Sequence, residues 1–366
     1  MLVVTLCVLV AAVAPVCAIS AAPLDRVLSI VPGDLSEIML LFTDWSQIKN
    51  QLGLEDITSE SPLSDRLELA RSTSQGLAAA SAYALSHIQS HSVTWGWDTS
   101  DLAWEADVVS HEFPPIYILQ FRDDFDFSLV AAHFAERGFS QTESRGAIVY
   151  AHELDPSLDW IRTTELSILN TAYIKAEKTM ILSSSARAVE MFLAASAGEA
   201  ATLAKDPFTC AAVEHLNVPT SAIVLRGLGE CIRFTPNPIL DLIGTIPSEE
   251  QIAQLKAMIE ESELLVPYRA LGVGYRVEEG RPVGTVVFEY DLPELAAMDL
   301  PARLLLAKEG TSRKYEAPIS ESYFTVLDFD VQDSAVILTV SPINDQPRQL
   351  FRMIYYMDAI FAGCSS

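Results

Sequence analysis

The sequence has few basic residues for its length. Lys and Arg number 24 against 49 for Asp and Glu, which gives a net charge of -25. A polyanion such as DNA or RNA is repelled on average by such a chain, and anionic lipid headgroups are repelled in the same way. Nucleic acid is therefore not an expected partner, and the acidic composition indicates a protein that is soluble in water.

Specific catalytic and metal-binding motifs are also missing. The chain has no CxxC, HExxH or GxSxG pattern, and the glycines that begin at Gly272 lack the third glycine of a phosphate loop. Ser46 and Lys49 match SxxK without the accompanying SDN or KTG elements, and His87 and His91 are better interpreted as exposed residues of a helix end than as metal ligands. The sequence thus predicts no catalytic residue, no metal site and no cofactor.

The opening segment lacks charged side chains altogether. From Leu2 to Ala22 the residues are apolar enough to enter a membrane, and small residues precede possible cleavage points after Ala18 and Ala22. Residues 1–22 are therefore predicted to be a signal peptide, with an uncleaved membrane anchor as the alternative. Both interpretations place the rest of the chain outside the cytoplasm: secreted, periplasmic or anchored at the cell surface, with membrane contact only through an uncleaved segment.

Five cysteines are present, and Cys7 and Cys17 lie within the predicted signal peptide. An exported protein can form disulfides, and Cys210 with Cys231 is the plausible pair, which leaves Cys364 unpaired. Three buried free thiols are the alternative.

Half of the residues are hydrophobic and 20% are charged, so the chain can bury a sizeable core. Short β-branched and aromatic runs alternate with segments of helical period, and hairpin turns separate several of the runs. The pattern predicts an α+β fold with mainly antiparallel sheets and helices packed on one face. Helices are predicted at residues 63–71, 75–87, 186–195, 249–263 and 348–362, and strands at 104–109, 116–121, 147–152, 172–175, 179–182, 222–226, 272–277, 286–290, 324–329 and 335–340.

Proline is concentrated between Thr235 and Glu250, just before a new helix. This stretch is the best candidate boundary, and it predicts one α+β domain over residues 23–235 and a second half or domain over 236–366. The segment VVFEYDLPELAAM resembles ILQFRDDFDFSLVAA, so two related halves are a further hypothesis.

Three acidic residues stand between an apolar run and a helical pattern, where a side-chain oxygen can cap the first turn. They are Asp44, Asp124 and Asp291, and Gln47 and Glu294 complete two capping boxes. We expect these carboxylates to be helix caps rather than catalytic groups.

Two acidic clusters could in principle offer oxygen ligands to calcium, although neither follows the twelve-residue loop that makes such an assignment specific. Turn and cap roles are the simpler interpretation of both clusters, Asp123, Asp124 and Asp126 in one and Asp328, Asp330 and Asp333 in the other.

Tryptophan is unevenly distributed, with Trp95, Trp97 and Trp104 close together. Such rings can line a ligand groove or seal a core between helix and sheet, and the second role is commoner. Trp95 and Trp97 are the candidate ligand-contacting aromatics, with Trp95 expected to be the more exposed.

The order of these elements resembles that of uncharacterised extracytoplasmic bacterial proteins of unknown function. The resemblance is based on the export signal and on the segments VPGDLSEIMLLFTDW, WGWDTSDLAWE and KTMILSSSARAVEMFLAAS, the last followed by LAKDPF. It implies export and an α+β fold, and it assigns no functional residue.

These observations lead to one main hypothesis, an exported non-catalytic protein that binds a protein partner or a small ligand. Two alternatives remain. One is an extracytoplasmic hydrolase whose site is assembled from residues distant in sequence, and the other is a carrier of an apolar ligand.

Overall fold

A large antiparallel sheet organises the chain. The computed structural model describes residues 22–74, 88–154, 163–227, 265–312, 314–356 and 358–363. Within them, twelve strands form one sheet in the order β13-β14-β10-β9-β8-β1-β2-β3-β7-β6-β5-β4, and β11 pairs only with β12. The strands are β1 Ile38–Asp44, β2 Leu102–Val109, β3 Ile116–Phe121, β4 Ser140–Ser144, β5 Ala147–Ala151, β6 Asn170–Ile174, β7 Thr179–Ser183, β8 Ser221–Arg226, β9 Ala270–Glu278, β10 Arg281–Glu289, β11 Thr311–Ser312, β12 Ala317–Pro318, β13 Phe324–Gln332 and β14 Ala335–Pro342.

The α-helices in these residues connect the strands and pack on the sheet. They are α1 Pro23–Leu28, α2 Trp45–Leu52, α3 Leu63–Ser74, α4 Ile88–Trp95, α5 Ser128–Glu136, α6 Ala186–Ser196, α7 Pro207–Leu216, α8 Pro293–Glu309, α9 Ile319–Ser322 and α10 Arg348–Tyr355. Helices and antiparallel strands together confirm the predicted α+β class.

The sheet contains two units with the same strand order. In the first unit the order is β1-β2-β3-β7-β6, with the hairpin β4–β5 added at the edge. In the second unit it is β8-β9-β10-β14-β13, and the units meet where β1 pairs antiparallel with β8. The hypothesis of related halves stays a prediction, because equal strand order alone does not require duplication.

Helices cover both faces of the sheet, so the expectation that they pack on one face is wrong. In β1, Met39 and Leu41 point to one face and Leu40 and Phe42 to the other, as the period of a strand requires. On the front face, which carries Met39 and Leu41, α2 to α5 cover the first unit and α8 and α10 cover the second. On the back face, α1, α6 and α7 pack on both units.

The predicted cap of α2 is confirmed, but the reciprocal bond of a capping box is absent, because the backbone N–H of Asp44 donates to the carbonyl oxygen of Thr220 instead. Asp44 Oδ1 accepts a hydrogen bond from the backbone N–H of Gln47 at 2.9 Å, and Asp44 Oδ2 accepts one from Gln47 Nε2 at 2.9 Å. The buried end of β1 therefore passes directly into α2 with the helix N-terminus satisfied.

The two other predicted caps are wrong. Asp291 pairs with Arg269 Nε at 2.8 Å, and Leu292 precedes α8 without any side-chain cap. Asp124 pairs with Arg122 Nη1 at 3.0 Å, and α5 begins only after Phe127. In both places an arginine within reach offers the carboxylate a charged partner instead of the backbone N–H groups of the first turn.

Several predictions lie outside the described residues. They are the helices at 75–87 and 249–263, the boundary at 235–250, and the signal or anchor segment except Ala22. Within the described part of the chain, no helix has the length and apolar character needed to cross a bilayer.

Candidate functional site

A cleft opens at the rim of the sheet, on the side of α1. Its volume is about 360 Å³, within the range of small-molecule sites. It lies where β1 ends in α2, where β2 begins and where β3 ends. Its walls are formed by Pro23, Arg26, Asp44, Ser46, Ala103, Trp104, Gln120, Phe121, Arg122 and Asp123.

An irregularity in the sheet shapes the floor of this cleft. The register between β2 and β3 shifts between Leu102 and Trp104, so Ala103 bulges out of the ladder. Bulges of this kind are common next to functional sites because they re-aim neighbouring side chains. Ser46 fixes the bulge by donating its hydroxyl to the carbonyl oxygen of Ala103 at 3.2 Å.

Both signs of charge line the cleft. Arg122 pairs with Asp124 at 3.0 Å, and its Nε lies 3.7 Å from Asp101 Oδ1. Among the described residues, this buried Nε has no hydrogen-bond partner and the Arg26 guanidinium forms no ion pair. Two guanidinium groups therefore bring positive charge to the wall of the cleft.

Two carboxylates line the cleft, those of Asp44 and Asp123, and they differ in how freely they can bind a ligand. Burial raises the pKa of Asp44, and the hydrogen bonds from Gln47 partly oppose this shift by stabilising the charged form. Both Asp44 oxygens are engaged in capping α2. Asp123, in contrast, is exposed at the rim, where its carboxylate can meet a cationic group of a ligand.

No nucleophile and base form a catalytic pair among the described residues of the cleft. Ser46 is bonded to Ala103, whereas Lys49 is buried and its Nζ donates to the carbonyl oxygens of Ser100 at 2.5 Å and Leu102 at 2.8 Å. Burial lowers the pKa of Lys49 to about 8, but its hydrogen bonds tie it to the backbone beneath the helix. The SxxK pattern therefore holds α2 against β2.

The candidate aromatics are not in the cleft. Trp95 and Trp97 are both 0% exposed, and the expectation that Trp95 is the more exposed is wrong. Trp95 packs on Phe134 with ring centroids 5.7 Å apart, and Trp97 packs edge-on against Phe121 at 5.5 Å. Both rings lie in the core between the front helices and the sheet, which is the commoner role of such residues.

The predicted disulfide and histidine pair each include a residue outside the described part. Cys210 is buried in α7, but Cys231 lies outside, so their disulfide stays a prediction. His91 is buried and packs edge-on against Trp97 with ring centroids 4.5 Å apart, so the expectation of an exposed histidine is wrong there, while His87 lies outside the described residues. In the residues that the structure describes, no three His, Cys, Asp or Glu side chains are grouped to hold a metal ion.

Several residues of the two acidic clusters bind local donors, but the expected turn and cap roles are only partly found, since Asp124 caps no helix and Asp328 and Asp330 lie within β13. Asp126 accepts hydrogen bonds from the backbone N–H and the hydroxyl of Ser128 at the start of α5. Asp328 and Asp330 accept from the backbone N–H groups of Phe329 and Val331 along the edge strand β13. These bonds satisfy donors that would otherwise be open on the edge of the sheet.

Four polar residues of interest in the structure were not identified as candidate site residues from the sequence. Arg26 and Arg122 are far apart in the chain, and no spacing rule connects them. Glu105 and Asp107 alternate with apolar residues in β2, a pattern that predicts a solvent-facing side, yet both are buried because helices cover that face. The only available signal was the presence of two acids within an otherwise apolar strand.

Comparisons with known proteins leave the chain without a family. No family model matches it, and no curated protein does. Among solved structures, crystal forms I and III of TP0453 each align with a TM-score of 0.41 and 11% identity, over 90% of this chain and 97% of that one. This is a distant similarity.

Proposed function

We propose that the protein is an exported, non-catalytic binding protein whose rim cleft takes a small zwitterion, such as an amino acid or a short peptide. The observation that supports the proposal is the presence of two guanidinium groups, those of Arg26 and Arg122, and of the exposed carboxylate of Asp123 in one cleft of about 360 Å³. A carboxylate on the ligand suits the arginines, and an ammonium group suits the aspartate.

Binding is favoured over catalysis by the local bonds in the cleft. Ser46 and Lys49 are each bonded to the backbone of the chain, so neither is poised to attack a substrate. No histidine lines the cleft in the described residues. The hydrolase alternative would need a nucleophile activated by a base within hydrogen-bond reach.

Calorimetric titration tests the ligand class. Single L-amino acids serve as probes, and each is compared with its N-acetyl derivative, which lacks the ammonium, and with its methyl ester, which lacks the carboxylate. We expect at least one amino acid to bind and both derivatives to bind about tenfold more weakly or worse, since each loses a charge-assisted hydrogen bond.

Substitutions of the cleft arginines test whether the amino acid binds in the cleft. Arg122→Gln and Arg26→Gln should each weaken binding of that amino acid about tenfold, because a neutral amide replaces a charged donor. Arg281→Gln is the control, since Arg281 is an exposed arginine at the start of β10, which contributes nothing to the cleft. Failure of every amino acid to bind, or equal binding by Arg122→Gln, would reject the proposal.

Export is tested separately. The native protein, purified from fractionated cells of its source, should be found outside the cytoplasm, and sequencing of its N-terminus should show that the chain begins after Ala18 or Ala22. A full-length chain in a membrane fraction would favour the anchor instead. A full-length chain in the cytoplasm would contradict both.

A further inference from the structure

Two carboxyl groups are buried on the front face, near the seam between the two units. Glu105 is 1% exposed and Asp107 is 7% exposed. They are alternate residues of β2, so both side chains point to the same face and their Cα atoms are about 6.6 Å apart. This spacing is short enough for both carboxyl groups to reach one bound ion.

Neither acid has a basic partner in the described residues. Both carboxyl oxygens of Glu105 and Oδ1 of Asp107 lack a hydrogen bond there, and no basic side chain of those residues pairs with either group. The indole N–H of Trp45, which is also fully buried on α2, lies beside the Glu105 carboxyl and favours its charged form. Burial of unpaired charges is costly, so such an arrangement calls for an explanation.

The fold does not require acids at this position. In the second unit, β9 takes the place of β2 in the strand order. Its front-face residues are Leu271, Val273 and Tyr275, all buried in the core under α8 and α10. An apolar strand therefore fills the same place in the sheet, and the acids of β2 need another reason.

The polar side chains opposite these two acids offer oxygen atoms as metal ligands. Thr43 lies directly opposite Glu105 on β1, and Tyr117 lies opposite Asp107 on β3. Thr43 Oγ1 accepts a hydrogen bond from Ser221 at 3.3 Å and retains a second lone pair. Hard cations such as Ca²⁺ and Mg²⁺ prefer oxygen ligands, whereas zinc sites use mainly His and Cys.

We propose that Glu105 and Asp107, together with the hydroxyl of Thr43, form a binding site for a hard divalent cation, Ca²⁺ or Mg²⁺. Two carboxylates and one divalent ion make a neutral buried group, which removes the cost of unpaired charge. Without the cation, the same neutrality requires a proton on each carboxyl, and cation binding releases these protons. The site is independent of the rim cleft.

Terbium luminescence gives a direct readout, because Tb³⁺ replaces hard cations and is sensitised by a nearby indole. The protein is first stripped with EDTA and studied at about pH 8, where protons compete less for the carboxylates. Tb³⁺ should emit on excitation of tryptophan, and Ca²⁺ or Mg²⁺ should quench the emission by displacement. Trp45→Phe should lower the emission while calorimetric binding of Ca²⁺ or Mg²⁺ remains.

Isosteric variants test the ligands. Glu105→Gln and Asp107→Asn keep the shape of the side chain and remove its charge, and each should weaken cation binding about tenfold or more and abolish the rise in melting temperature that Ca²⁺ or Mg²⁺ causes. The double variant Asp328→Asn with Asp330→Asn removes exposed acids at the sheet edge and should bind like the wild type.

Three results would overturn the proposal. One is a wild-type protein whose melting temperature and luminescence do not respond to any hard cation. Another is binding that persists in Glu105→Gln and Asp107→Asn, and the third is binding that disappears in the edge variant, which would mean surface association only.

Discussion

A buried glutamate on the back face should make the stability of the protein depend on pH. Glu289, the last residue of β10, is 1% exposed, and its Oε1 lies 3.7 Å from Nε2 of His215 on α7. Burial raises the pKa of Glu289 to about 7, the charges of Asp333 and Glu214 add to the shift, and a hydrogen bond from Ser334 opposes it. Burial also lowers the pKa of His215, so the imidazole offers little positive charge at neutral pH.

The sign of the effect follows from proton linkage. The folded-state pKa of Glu289 lies above the ordinary value of 4.5, so between these values the folded state holds a proton that the unfolded state has released. This contribution to stability is complete below the unfolded pKa and is lost as the pH rises through the folded pKa. For one group, the free energy of unfolding falls by about 1.4 kcal/mol per pH unit in that window, and by about 2.5 kcal/mol between pH 5 and pH 8.

Urea denaturation at pH 5, 6, 7 and 8 measures this loss. Glu289→Gln should remain neutral throughout, so the wild type should lose about 2.5 kcal/mol more than this variant over the range. Glu278→Gln is the control, because Glu278 lies on β9 in a half-exposed pair with Arg276 and should keep the wild-type slope. Identical slopes for the wild type and Glu289→Gln would refute the assignment of the raised pKa.

Three further predictions concern single contacts. Arg303 is fully buried, pairs with Asp299 at 2.7 Å and donates to the carbonyl oxygen of Phe361. Arg303→Met should therefore lower the free energy of unfolding by about 3 to 5 kcal/mol. A change below about 1 kcal/mol in urea denaturation would contradict this account. Asp44→Ala should cost about 1 kcal/mol as a lost cap, whereas Asp291→Ala should cost less, because Asp291 holds only a half-exposed ion pair; equal losses would argue against the observed caps. If Cys210 and Cys231 are bridged, alkylation of the denatured, unreduced protein should leave both unlabelled in mass spectrometry, and labelling of both would reject the disulfide.

Local sequence signals predicted most of the strands because their causes are local. The run from Trp104 to Val109 alternates in the way a strand requires, and β2 forms there. The cap at Asp44 was also predictable, since its partner Gln47 is three residues away and both are fixed by the same turn. The cap at Asp291 failed because Arg269, distant in sequence but adjacent in the sheet, supplies a closer charged partner.

The cleft could not be predicted, because its parts come from separate elements. Arg26 belongs to α1 and Arg122 follows β3, and only the packing of α1 on the back face brings them to one cavity. Each residue alone is an ordinary surface arginine in sequence. The bulge at Ala103, which shapes the floor, depends on the register between two strands and leaves no clear trace in composition.

The sequence by itself determined the acidic character of the protein, the α+β class, most of the strands and the cap of α2, because charge, periodicity and turn chemistry act over a few residues. Only the tertiary structure decided that helices cover both faces of the sheet. The two-residue period of a strand determines which residues share a face, but it does not determine what covers that face. For this reason Glu105 and Asp107, which alternate as solvent-facing residues do, are buried without a charged partner in the described part of the chain.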